Sequence, residues 1–195
     1  MAVHNSSYDA ANTAVRAFLT KVGARYWGKG FNTGSGNGEA VWQEIKEVVF
    51  NGVCCYCGKP SDKLQIEHLI MFNREEYGLH HPGNVVPVCQ ECNKRGKDSS
   101  GRHLTWENHL KVICEKQGNF SAYEGRQEKI LKHITTGKYS YPNLTANEKH
   151  AIRVIAETLY NNIKLEADNS LTLYEKITLA FVNSGMPNNG HLDKA

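Results

Sequence analysis

The chain has 195 residues, of which 40% are hydrophobic and 22% charged, with six cysteines, nine histidines and 17 glycines. That is enough chain to bury a core without disulfide staples. No apolar run approaches the roughly 18–20 residues of a membrane span, so membrane, collagen-like and disordered classes are excluded. The opening MAVHNSSYDA lacks the basic-then-apolar pattern of a secretory signal, and a cytoplasmic setting is expected. The net charge of +3 divides evenly, +1 to each of residues 1–50, 51–105 and 106–195. Charge alone therefore does not single out a nucleic-acid binder.

Three zones are expected. In residues 1–50, Ala11, Val15, Phe18, Leu19 and Val22 recur at helical spacing, as do Val41, Trp42, Ile45, Val48 and Val49. Between these two predicted helices lies a loop, residues 28–39, whose five glycines read as a flexible linker; ordering on a ligand stays open. Residues 51–103 are rich in turns: a strand over Leu64–Ile70, a loop over Met71–Gly83, a strand over Asn84–Val88 with Pro87 marking an edge, and a short helix from about Gln90 to Gly96. Residues 104–195 read as four helices. The first starts near Thr105, and the others are announced by Ser121 with Glu124, Thr145 with Glu148 and Thr172 with Glu175 at capping-box spacing. The tail PNNGHLDKA is expected to fray.

The cysteines are not spread evenly. Cys54-x2-Cys57 and Cys89-x2-Cys92, 31 residues apart, form two knuckles able to give four thiolates to one tetrahedral zinc. A two-residue gap lets both sulfurs meet one ion from a tight turn, and Gly58 supplies the freedom that turn wants. Cys55 could stand in for Cys54, although Cys55-x-Cys57 makes a poorer knuckle; Cys114 reads as a small core residue. Four thiolates leave zinc no open position, so this ion would be structural, and any activity must come from neighbouring residues.

Those neighbours carry a resemblance. Cys54-x2-Cys57-Gly58, Glu67-His68, Asn84 and Cys89-x2-Cys92-Asn93-x3-Lys97, in that order, look like the HNH motif of the ββα-metal endonucleases. The run Asn93-Lys94-Arg95-Gly96-Lys97 is also similar to a stretch of the HNH domain in RNA-guided CRISPR nucleases. The resemblance implies an α+β fold: a small zinc-stapled ββα-metal core over residues 51–103, flanked by mainly α-helical regions. It implies His68 as the general base, Asn84 as the residue fixing the His-bearing segment, and Glu67 with Asn93 as ligands of one Mg2+ or Mn2+. This is an H-N-N version, with Asn93 in place of the last histidine and Glu67 where aspartate is commoner; both keep oxygen ligands suited to a hard cation.

The expected activity is metal-dependent hydrolysis of DNA, most simply double-stranded, by a restriction, homing or phage-defence enzyme. The alternative is a non-catalytic zinc module that binds nucleic acid or protein. Lys94, Arg95, Lys97 and Arg102, the one local excess of positive charge, are the expected phosphate contacts, with Arg74 and Lys63 as lesser candidates. His80, His81 and His103 read first as solvated loop histidines. A homodimer is expected if both strands of a palindrome are cut, on size alone. One geometric condition follows from the adjacency of Glu67 and His68, since neighbours on a regular strand face opposite sides. Regular pairing should end at or just after His68.

Overall fold

The computed structural model describes residues 6–182. Five helices and one two-stranded sheet make up a mixed helical fold: α1 Ser7–Trp27, α2 Gly36–Glu44, β1 Gln65–His68, β2 Val85–Val88, α3 Trp106–Lys116, α4 Ala122–Thr135 and α5 Ala146–Ile177. A π-helical turn, Ile45–Val49, prolongs α2, and another, Thr178–Val182, prolongs α5.

Helix starts follow local chemistry. The hydroxyls of Ser6, Thr105 and Thr145 each accept from the backbone N–H three residues on, satisfying donors the first turn leaves orphaned. Thr145 and Glu148 form the full reciprocal capping box. The other two predicted boxes do not form. Ser121 is itself helical in backbone conformation and its hydroxyl turns to Asn119. Thr172 lies inside α5 with its hydroxyl on the Asp168 carbonyl, so 32 residues form one helix and three helices, not four, follow residue 104.

The sheet is antiparallel, pairing Gln65 with Val88 and His68 with Val85. Every residue of β2 is buried, while β1 is partly exposed. The helix expected over Gln90–Gly96 is absent: the Cys89 carbonyl accepts from both Cys92 and Asn93 N–H, closing a knuckle turn, and the first helix beyond it is α3.

Two apolar clusters hold the fold. One joins Phe31, Trp42, Ile45 and Phe50 to the knuckles, to Val85, Val86 and Val88, and to Trp106, Leu110 and Ile130. The other packs Ala11, Val15 and Leu19 of α1 against Ile152, Ala156 and Tyr160 of α5, with Leu79 of the inter-strand loop between them. The glycine-rich stretch is not a slack linker: α2 already begins at Gly36, and Phe31 is buried edge-on to Trp27. The tail at 187–195 lies outside the described residues. Among those described, no helix is long and apolar enough to cross a membrane.

Candidate active site and metal centre

The first knuckle is clamped at its base by a bridge between Val53 and Pro60, with Cys54 N–H donating to the Lys59 carbonyl and Gly58 N–H to the Cys54 carbonyl. Gly58 sits at φ +72, where a side chain is strained, so the turn that aims Cys54 and Cys57 depends on glycine. The Sγ atoms of Cys54, Cys57, Cys89 and Cys92 all lie within 4.8 Å of one another. Sulfurs bound at about 2.3 Å to a tetrahedral zinc stand roughly 3.8 Å apart, and Cys57 and Cys89 are separated by 3.8 Å. The donor set and its spacing fit zinc.

Protonation favours the same reading. The hydrogen bond from Cys92 holds the Cys54 thiol down at about 5, whereas burial pushes Cys57 up to about 11 and Cys54 drives Cys92 upward. Four adjacent thiolates repel one another, and a dication relieves that repulsion. Cys55 is buried and not part of the four-sulfur group, and Cys114 is a core residue as expected.

Side chains from α3 and α4 brace both knuckles. His109 Nε2 lies 2.9 Å from the Cys92 carbonyl, Gln117 donates to the Cys57 carbonyl, and Arg126 donates to the Tyr56 carbonyl and to Gln117 Oε1. These partners stand 17 to 70 residues away in the chain, which is why motif spacing gives no sign of them.

Strand β1 ends at His68, with one more backbone bond in register, from Leu69 N–H to the Asn84 carbonyl. Beyond that the side chain of Asn84 takes over: its Oδ1 accepts from Ile70 N–H at 2.8 Å, and its Nδ2 donates to the Ile70 and Leu79 carbonyls at 2.9 Å each. Asn84 is fully buried and ties both ends of the inter-strand loop to β2.

At this break His68 turns toward the loop. Its ring stacks on Phe72 with centroids 4.8 Å apart, and its Nε2 lies 2.9 Å from His80 Nδ1. His80 packs against the Phe31 ring, with centroids 4.9 Å apart. Gly23 of α1 lets this segment approach: a Cβ there would stand 2.3 Å from the His80 carbonyl oxygen. Burial lowers His80, and burial with His80 and Arg95 nearby brings His68 down to about 3, so both rings are neutral near pH 7. Of the two facing nitrogens one donates and the other accepts, the tautomer setting which.

Glu67 faces the other side of β1. Arg95 Nε donates to it at 2.6 Å, and the same guanidinium donates to the carbonyls of His68 and Leu69, which the ended ladder leaves unpaired. The Arg95 side chain is only 2% exposed, so it braces the strand end and does not face a phosphate from solution. Burial raises the Glu67 carboxyl despite this partner. Asn93 Nδ2 donates to Gln65 Oε1 at 2.7 Å, and Gln65 and Glu67, two apart on a strand, share a face. Asn93 thus stands on the Glu67 side of β1.

Lys94, Lys97 and Arg102 are exposed, Arg102 with Asp98 3.8 Å away. Arg74 is spent elsewhere, on a two-pronged contact with Glu157 of α5, where Tyr77 also bonds. His81 is buried, accepting from Gly83 N–H, and His103 is held 2.9 Å from Glu75. Neither behaves as a solvated loop histidine.

Sheet, knuckles and paired oxygen donors define the class of a small α+β module able to hold a metal, with a histidine at a broken strand. Residues 54–99 match the family model described as HNH endonuclease. No curated protein and no solved structure matches the chain.

Proposed function

We propose that the chain is a metal-dependent endonuclease that hydrolyses phosphodiester bonds of DNA, with His68 as general base. The observation that carries this reading is the His68 imidazole at the end of β1, its Nε2 2.9 Å from His80 Nδ1, in a segment that matches the HNH endonuclease model. Neutral near pH 7 and held by a neighbouring ring, it offers a lone pair to a proton of water, and its pKa of about 3 makes it a weak base in the metal-free fold. Asn84 fixes that segment. Glu67 and Asn93 would hold the divalent cation, Mg2+ or Mn2+, whose chemistry when bound is to neutralise charge at the scissile phosphate and leaving oxygen. A cation at Glu67 competes with Arg95 for one carboxylate. Lys94, Lys97 and Arg102 contact the DNA backbone, and zinc at Cys54, Cys57, Cys89 and Cys92 is structural.

Two observations favour the second reading, a zinc module that binds without cutting: Glu67 is already neutralised by a buried guanidinium, and it stands on the opposite side of β1 from His68. Incubating supercoiled plasmid with the zinc-loaded protein in Mg2+, Mn2+ or EDTA separates the two. The nuclease nicks or linearises plasmid with either cation and not with EDTA, and His68→Ala abolishes cleavage while zinc content and helicity stay unchanged. Cleavage that persists in His68→Ala, or that ignores EDTA, rules out this mechanism. Binding without cleavage under every cation supports the module.

A further inference from the structure

The second half of α5 departs from the way soluble helices are built. Its first half buries Ile152, Ala156 and Tyr160 against α1. The two helices run antiparallel, with the Tyr26 hydroxyl on Glu148 at one end and Tyr8 against Tyr160 at the other. Lys164 Nζ, 4.5 Å from the Tyr8 ring centre, marks where α1 stops covering α5. The apolar stripe does not stop there. Tyr160, Ile163, Ala167, Ser170, Tyr174 and Ile177 of α5, and Phe181 of the π-helical turn that prolongs it, follow one another in sequence at alternating steps of three and four residues, the spacing of a two-helix seam. Leu171 and Leu173 flank it. On the uncovered part, Leu171, Leu173, Tyr174, Ile177 and Phe181 are 45 to 75% exposed.

Such a helix is poorly accounted for by itself. An isolated segment of this length is marginal in water, and most helical stability comes from packing an apolar face. The stripe shows on the order of 600 Å² of apolar surface, at the upper end for a monomer and approaching the ~800 Å² that each side of a standard interface buries.

We infer that this stripe is a homodimer interface in which the ends of two α5 helices pair antiparallel. The occupant follows from the seam itself. Antiparallel pairing in the heptad frame sets Phe181 of one copy against Ser170 of the other, and Tyr174 against Ile177, so large faces small in the outer layers. A parallel pair would set two Phe181 rings against each other and two Ser170 residues beside an unfilled space. Asp168, Glu175 and Lys176 fall off the stripe and stay solvated, and no like charges meet across it. The seam is also continuous with the α1–α5 contact, so the partner helix takes up where α1 ends. This inference does not depend on the nuclease reading.

Sedimentation equilibrium of the full zinc-loaded chain at tens of micromolar tests it. The expected mass is twice that of the chain. Ile177→Asp with Phe181→Asp, both on exposed positions, should give a monomer with unchanged zinc content. Phe181→Ser alone should weaken the dimer at least tenfold, and adding Ser170→Phe, which exchanges the large and small members of the layer, should restore it. A monomer at all concentrations, with or without DNA, overturns the interface. So does a dimer indifferent to the two aspartates, and an unrestored double variant overturns the antiparallel pairing.

Discussion

Asn84, wholly buried, holds three backbone groups with one side chain. Replacing it with alanine strands the Ile70 N–H and the carbonyls of Ile70 and Leu79 in a buried setting. At about 1–3 kcal/mol for each group left unpaired, Asn84→Ala should cost at least ~3 kcal/mol in urea unfolding of the zinc-loaded protein. A loss below ~1 kcal/mol would contradict its role as the tether. His80 is the second test. If its Nδ1 orients His68, His80→Ala should lower kcat by roughly 10- to 100-fold with little change in KM. His80→Asn, whose amide oxygen takes the place of Nδ1, should recover much of it, whereas a merely structural histidine would show no such ordering. His81 gives a pH dependence. Burial, then His133 and His80, lower its pKa to about 4 from the ordinary value near ~6.5. Between those values the unfolded chain binds the proton that the folded one excludes, so stability is intact above pH ~6.5 and falls as pH drops toward 4. The urea midpoint should fall across that window, and less steeply in His81→Asn. The cysteine cluster and the segment that matches the HNH model were legible because residue types and spacing there are local. The partnership of His68 with His80 was not, because it depends on Phe31 and on Gly23, 37 and 45 residues before His68.

Elements were read best where chemistry at their ends is local. Thr105 and Thr145 start their helices as their hydroxyls dictate, and β1 ends at His68, as the adjacency of Glu67 and His68 required. Two of the misread segments show the physical causes. Asn93 and Arg95 are suited to a short helix, yet the Cys89 carbonyl closes the turn and Arg95 is drawn inward by Glu67. Thr172 with Glu175 imitates a helix start, but neither glycine nor proline occurs from Ala146 to Val182, and that missing breaker was the signal for one long helix. The crossing of α1 with the His80 segment is where a small change should travel farthest. Gly23→Ala places a methyl against the His80 carbonyl, so the loop must shift, at about 1–3 kcal/mol. Plasmid cleavage should fall with it while zinc stoichiometry is unchanged; normal cleavage would show that the loop's position does not matter to His68.

At the scale of the molecule, zinc bound at the four cysteines and the helices would hold one another. Removing the ion leaves four thiols within 4.8 Å to repel or protonate, and Cys92→Ser should lose zinc and melt cooperatively at lower temperature. A chelated protein with an unaltered melt would show that the knuckles stand without metal. The sequence divides the chain into three zones, but the apolar clusters each draw on more than one: Phe31 and Trp42 pack with the knuckles, and Leu79 packs between α1 and α5. That sharing is invisible to periodicity, which reports which face of an element is apolar and not what covers it. The braces from α3 and α4 have a consequence for protein engineering. His109, Gln117 and Arg126 take up the backbone carbonyls of Cys92, Cys57 and Tyr56. Residues 51–103 are consequently not a portable cassette: grafted into another scaffold, they would carry the metal ligands but leave behind the clasps that hold each knuckle closed.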